Sequence, residues 1–150
     1  MTLLDQVEAA VGLDEALEAT LCGLRADSGT IHLLEPDGLL HLKAHSRGIP
    51  EVVLQTVRTV PVGKGMAGLA VERGKPVDAC NIQTDSSGDV RPGARATGMA
   101  GAIVVPILRG EEPVGALGVA NRSEREFTAE ETELLLTVGR AIAKRKELWD

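Results

Sequence analysis

Residues Val104 to Glu131 read V-V-P-I-L-R-G-E-E-P-V-G-A-L-G-V-A-N-R-S-E-R-E-F-T-A-E-E. Two apolar runs, Ala102 to Leu108 and Val114 to Ala120, flank a polar R-G-E-E-P loop. Runs of this length around a short polar turn predict a β-hairpin. The second run is built of small residues and ends in Asn121-Arg122. Thr128, with Glu131 three positions later, predicts a capping box that opens the last helix. That helix is expected to run to about Leu148. A hairpin leading into a helix, without a β-α-β crossover, points to an antiparallel sheet and an α+β class.

The rest of the chain agrees. Leu3 to Leu24 carries apolar residues at helical spacing, with a break or kink at Gly12 and Asp14 as N-cap of the second part. Thr30 to Glu35, the turn Pro36-Asp37-Gly38, and Leu39 to Ser46 predict a second hairpin. Pro50 opens a short helix to about Val57. A Val60-to-Gly65 connection follows, then a helix from Met66 to about Arg73 that stops at Gly74. Pro76 to Asn81 is a short strand. Gln83 to Ala100 is the one long irregular stretch, and such stretches in compact domains often serve as lids.

Bulk properties narrow the function. The 150 residues carry a net charge of −6, which disfavours nucleic-acid binding. Apolar residues make up 43%, enough for one globular domain with its own core. No run is long enough to span a bilayer, Asp5 and Glu8 interrupt any signal-like segment, and a cytoplasmic location is expected. The two cysteines, Cys22 and Cys80, fit neither a disulfide framework nor a zinc site. Phe127 and Trp149 are the only aromatics, so stacking of a purine or pigment is disfavoured.

With these pieces in order, the chain resembles the GAF domain family from about Leu13 to Lys146. The resemblance rests on V-P-V-G-K-G-M-A-G-L-A-V-E-R-G-K-P at Val60 to Pro76, G-A-I-V-V-P-I at Gly101 to Ile107, P-V-G-A-L-G-V-A-N at Pro113 to Asn121, and the closing F-T-A-E-E-T-E-L-L. It implies a single GAF-like, PAS-like domain over 1–150. A six-stranded antiparallel sheet would carry terminal helices on one face, and short helices and a lid over a ligand pocket on the other. It also implies a small-molecule sensor that signals through a helical dimer and an output partner. The cyclic-nucleotide pattern N-K-x-F-x3-D-E is met only by Asn121 and Phe127, with Arg122, Glu131 and Thr132 departing from it. Free methionine-R-sulfoxide reductases of the same fold carry lid cysteines that this chain lacks; Cys80 lies just before the lid.

Gly63-Lys64-Gly65-Met66-Ala67 opens a helix, where free N–H groups favour an anion. Arg91 and Arg95 in the lid, with Thr97 nearby, suit a carboxylate or phosphate. The expected ligand-binding set is Lys64, Gly65, Met66, Ala67, Asn81, Arg91, Arg95, Thr97, Met99 and Val104, and the expected ligand a small anion or carboxylate metabolite. Pairing Glu35 with Leu40 puts His32, His41 and His45 on one face, where Lys43 among them makes a solvated surface the better reading than a metal or haem site. Asp85 and Asp89 read as turn formers. No catalytic constellation can be placed, no metal is called for, and the cofactor is left open. The stripe Leu134, Leu135, Val138, Ala141, Ile142, Leu148 and Trp149 reads as a homodimer seam. The alternatives are a dimerisation module with a vestigial pocket and a redox enzyme using Cys80.

Overall fold

A computed structural model describes residues 1–90 and 92–149. The elements run α1 (Leu3–Ala9), α2 (Leu13–Leu24), β1 (Ser28–Leu34), β2 (Leu39–His45), α3 (Glu51–Val57), β3 (Thr59–Pro61), α4 (Gly65–Arg73), β4 (Val77–Ala79), a 3-10 helix (Pro92–Thr97), β5 (Gly101–Arg109), β6 (Glu112–Asn121), α5 (Ala129–Lys144) and a 3-10 turn (Lys146–Leu148). The six strands form one sheet in the order β3-β2-β1-β6-β5-β4, and every neighbouring pair is antiparallel. The α+β class and the six-stranded sheet are as expected.

Alternation along the central strands divides the sheet into two faces. Ile31 and Leu33 of β1, Ile103, Val105 and Ile107 of β5, and Leu117 and Val119 of β6 point to α1, α2 and α5. Those helices return Val7, Leu17, Leu21, Leu135, Val138 and Ile142, all buried, to form the main core. Fully burying side chains of this kind stabilises by about 1.5–3 kcal/mol each before conformational entropy is subtracted. The opposite face carries Ala102 and Val104 of β5 and Ala116 and Ala120 of β6, covered by α4 and the lid.

Several boundaries differ from the sequence reading. Gly12, not Asp14, is the N-cap of α2, without a side-chain cap; Asp14 sits in the first turn, where its charge still suits the helix dipole. β3 falls in a stretch read as a connection. Its backbone pairs Thr59, Val60 and Pro61 with the edge of β2, and only Val60 is buried, so the strand has too short an apolar pattern to announce itself. The capping box at Thr128 and Glu131 is present, with Thr128 Oγ1 accepting from the Glu131 N–H at 3.1 Å.

The last helix ends at Lys144 rather than near Leu148, and this removes the expected dimer seam. The chain turns back at Arg145, Leu148 is buried in the main core, and Trp149 donates its indole N–H to the Ile142 carbonyl at 3.0 Å. Leu135, Val138, Ala141 and Ile142 are likewise consumed internally. Arg145 Nη1 bonds the carbonyls of Val7 at 3.1 Å and Ala10 at 2.7 Å, clasping the end of α1. The exposed large hydrophobics among the described residues are Met1, Val11, Val52 and Val62.

Where α4 crosses the loop after β3, Gly68 donates to the Lys64 carbonyl and accepts from the Gly63 N–H. A Cβ at Gly68 would collide with the Pro61 carbonyl oxygen, a backbone atom that cannot step aside cheaply. Gly68→Ala is therefore expected to cost about 1–3 kcal/mol, read as a lowered midpoint in thermal or urea unfolding. An unchanged midpoint would mean that the loop yields freely.

Candidate functional site

The small residues of β6 leave room that the branched residues of its other face do not. At Gly118 a Cβ would stand 3.2 Å from Val104 Cγ2 and 3.4 Å from Thr30 Oγ1. Over this patch lies a cavity of about 320 Å³. Its floor is Thr30 and His32 of β1, Ala102 and Val104 of β5, and Gly118 and Ala120 of β6. Ile49, Val53, Thr56 and Val57 close it at α3, Lys64 to Ala67 at the start of α4, and Ile82, Ala94, Thr97 and Met99 at the lid. The size falls within the range of small-molecule pockets, roughly 300–1,000 Å³.

The start of α4 is open to this space. Lys64 is the N-cap and supplies no side-chain acceptor, so the first N–H groups of the helix are not capped from within. Lys64 itself is exposed, at the rim. Gly65, Met66 and Ala67 line the cavity, and Met66 is buried.

His32 is placed quite differently from the sequence reading. The β1–β2 turn pairs Leu34 with Leu40, so His32 faces Leu42, and a bulge follows between His32 and Ile31. A one-residue change of register moves a side chain to the other face of a sheet. His32 therefore lies on the cavity side, 3% exposed, and the solvated three-histidine face does not form. Its Nε2 is 2.8 Å from the Val57 carbonyl oxygen. A carbonyl only accepts, so Nε2 carries the proton. Burial pushes the ring below the ordinary histidine pKa and keeps it neutral, which leaves Nδ1 as an acceptor. That atom is buried and has no partner among the described residues.

The lid is held in place by its own hydrogen bonds and by one ion pair to α4. Gln83 donates to the carbonyls of Arg95 at 3.1 Å and Met99 at 2.8 Å. Arg73 of α4 grips Asp89 with two bonds, at 3.1 and 3.2 Å. Thr97 Oγ1 donates to the Ala94 carbonyl at 2.8 Å and accepts from the Met99 N–H at 3.0 Å. Asp85 is a turn former, accepting from Ser87.

Of the residues expected to bind ligand, Lys64, Gly65, Met66, Ala67, Thr97, Met99 and Val104 converge on the cavity. Arg95 does not: it is exposed and donates to the Asp85 carbonyl at 3.2 Å, within the lid. Asn81 also stands apart, bonded to Glu124 at 2.8 Å and to the Gln83 N–H at 2.9 Å. Arg91 lies outside the described residues. The pairing of lid arginines with the α4 terminus, on which the anion expectation rested, is thus not made by Arg95. Thr30, His32, Ile49, Val53, Thr56, Val57 and Gly118 were missed. The signal for Gly118 was present in the small-residue run of β6; that for His32 was hidden by the register of the β1–β2 turn.

Other clusters serve structure. Arg125 pairs with Glu131 at 2.5 Å, bonds Asn121 Oδ1 at 2.8 Å and stacks 4.3 Å from the centre of the Phe127 ring. The Thr128 N–H chiefly, and then Arg125, hold the Glu131 carboxyl below the usual range. Glu35, Asp37 and His41 converge at the β1–β2 turn, where Lys43 already engages Glu35 at 2.6 Å. Cys22 and Cys80 are both exposed, and neither lines the cavity.

Comparison with known proteins places this geometry. A sequence profile of the GAF domain matches residues 9–144. Among curated proteins none matches the sequence. The solved GAF domain of the Acinetobacter phosphoenolpyruvate-protein phosphotransferase is similar at TM-score 0.74 and 18% identity, over 95% of this chain and 86% of that one. The free methionine-R-sulfoxide reductase of Neisseria meningitidis, solved in complex with its substrate, is similar at TM-score 0.76 and 16% identity, over 97% and 84%. A domain assigned to a two-component sensor histidine kinase of Sinorhizobium meliloti is similar at TM-score 0.68 and 19% identity, over 92% and 95%. At these identities the likeness is one of fold.

The neutral His32 sets a pH dependence. Its folded pKa lies below the ordinary histidine value of 6.5. Below that value the unfolded chain takes up a proton that the folded chain refuses, so stability falls as pH falls. The urea midpoint is expected to drop between about pH 7.5 and about pH 5.5, and to drop less in His32→Asn. Equal drops in both proteins would show that His32 does not contribute.

Proposed function

The chain belongs to the GAF domain family, and from that we propose that it is a small-molecule-binding regulatory domain whose ligand sits between the sheet and the lid. The observation that carries this reading is the cavity of about 320 Å³, with an uncapped helix start and residues of the lid in its wall. A void this size among apolar side chains weakens packing, by about 24 cal/mol per Å³ where cavities have been cut into cores. Its presence opposite a fully packed helical face argues for an occupant.

In this reading the ligand favours the closed lid over an open one, and the difference in affinity sets the signal. Strands β1 and β6 are the route outward. Each lines the cavity with one set of side chains and packs α2 or α5 with the other. The proposed output is a change in how the layer of α1, α2 and α5 meets a second copy of the chain or an output partner. With the apolar stripe of α5 buried, that meeting would use the polar outer surface of the layer. A cytoplasmic location and the absence of catalysis belong to the same proposal. The first is supported by there being no described helix long and apolar enough to cross a membrane. The second is supported by the position of Cys80 away from the cavity wall.

Ala120 is partly buried at the cavity floor, so Ala120→Phe fills the site from below. A thermal-shift screen of metabolites is expected to find a compound that raises the wild-type midpoint by several degrees, and the filled variant is expected to ignore it. A compound that stabilises both proteins equally would sink the reading.

A further inference from the structure

We propose that the cavity takes a neutral, mainly apolar molecule that donates one N–H or O–H to His32 Nδ1. The proposal rests on the small-molecule reading above and gives that ligand its chemical class.

The wall chemistry leads to it. Val53, Val57, Val60, Val104, Met66 and Met99 supply branched or adaptable apolar surface. Among the described lining residues the only one of fixed charge is Lys64, and it is exposed at the rim. Arg95, the described lid arginine, is turned to the Asp85 carbonyl. Against the described residues of this wall, a charged ligand would lose its hydration without gaining a buried counter-charge. The uncapped start of α4 does not require an anion, since its N–H groups accept a neutral carbonyl or ether oxygen equally in geometry.

The uncharged polar side chains of the wall leave two to a ligand among the described residues, the Thr30 hydroxyl and His32, of which His32 is the buried one. Ser28 Oγ is 3.1 Å from Ser46 Oγ. Thr56 donates to the Val52 carbonyl at 2.9 Å, and Thr97 is engaged on both sides within the lid. The Val57 bond fixes the Nε2–H tautomer of His32, so Nδ1 offers a lone pair and no hydrogen. It is the buried side-chain polar atom left without a partner among the described residues. Buried acceptors are nearly always satisfied, and His32 is one of the residues that line the cavity. A ligand donor completes it; a ligand acceptor at the same point would be repelled.

Three probes sharing one aromatic body test this. N-phenyl-1-naphthylamine is neutral with one N–H. In 1-phenoxynaphthalene an ether oxygen replaces that N–H. In 1-anilinonaphthalene-8-sulfonate a fixed negative charge is added. Fluorescence titration and displacement on the wild-type protein are expected to rank the amine first, with the ether and the sulfonate each about tenfold weaker or more. In His32→Phe the amine and the ether are expected to bind within about twofold of one another. Ala120→Phe is expected to abolish binding of the amine; unchanged binding would put the probe elsewhere and overturn the proposal. It is overturned too if the sulfonate matches the amine, or if the ether does so on the wild-type protein, a comparison that needs no variant to fold. A wild-type protein that ignores all three probes yet is stabilised by a charged metabolite would overturn the neutral ligand and leave the proposed function standing. One that responds to neither would overturn both.

Discussion

Strand β6 has to serve two unlike neighbours at once. Its side chains alternate, so one set meets the helices and the other meets α4 and the lid. Leu117 and Val119 fill the helical side completely. Ala116, Gly118 and Ala120 on the other side are too small to fill theirs. The molecule therefore has a solid half and a hollow half divided by one sheet. The solid half supplies the stability that lets the hollow half stay hollow, since large buried side chains on one face offset poor packing on the other.

How much of this was legible follows from where the pattern was strong. The hairpin Ala102 to Ala120, the capping box at Thr128 and the helix stop at Gly74 were readable because each has a local signature: alternation, a hydroxyl three residues before a glutamate, a glycine at positive φ. The α4 side of the cavity was readable for the same reason. What failed depended on long-range geometry. The turn pairs Leu34, not Glu35, with Leu40, a one-residue shift that regular alternation does not reveal, and it decided which β2 residues share a face with His32. The fate of Arg95 was set by a carbonyl ten positions away in the same lid. The stripe ending in Trp149 looked like a seam because periodicity reports an apolar face without saying what covers it; here the chain's own return covers it.

The junction after β6 shows a similar exchange of roles among neighbours. Arg122 was the arginine next to the strand, yet its backbone N–H is what matters, bonded to Asp27 at 2.8 Å. Arg125 does the side-chain work, reaching Asn121, Glu131 and the Phe127 ring together. Asn121 in turn donates to the Arg25 carbonyl at 2.8 Å, at the left-handed residue that closes α2. The end of one helix, the end of the central strand and the start of another helix thus share one polar knot, which fixes the floor of the cavity at its β6 end.

The clasp of Arg145 on the carbonyls of Val7 and Ala10 has a mechanical meaning. It welds the first helix to the turn that follows the last one, although the two are far apart in sequence. A twist applied at either place is carried to the other as rigid rotation rather than absorbed as bending. In the function proposed above, the helical layer is a lever, the sheet its one fulcrum, and the hollow on the far side of that sheet is where a small molecule would set its angle.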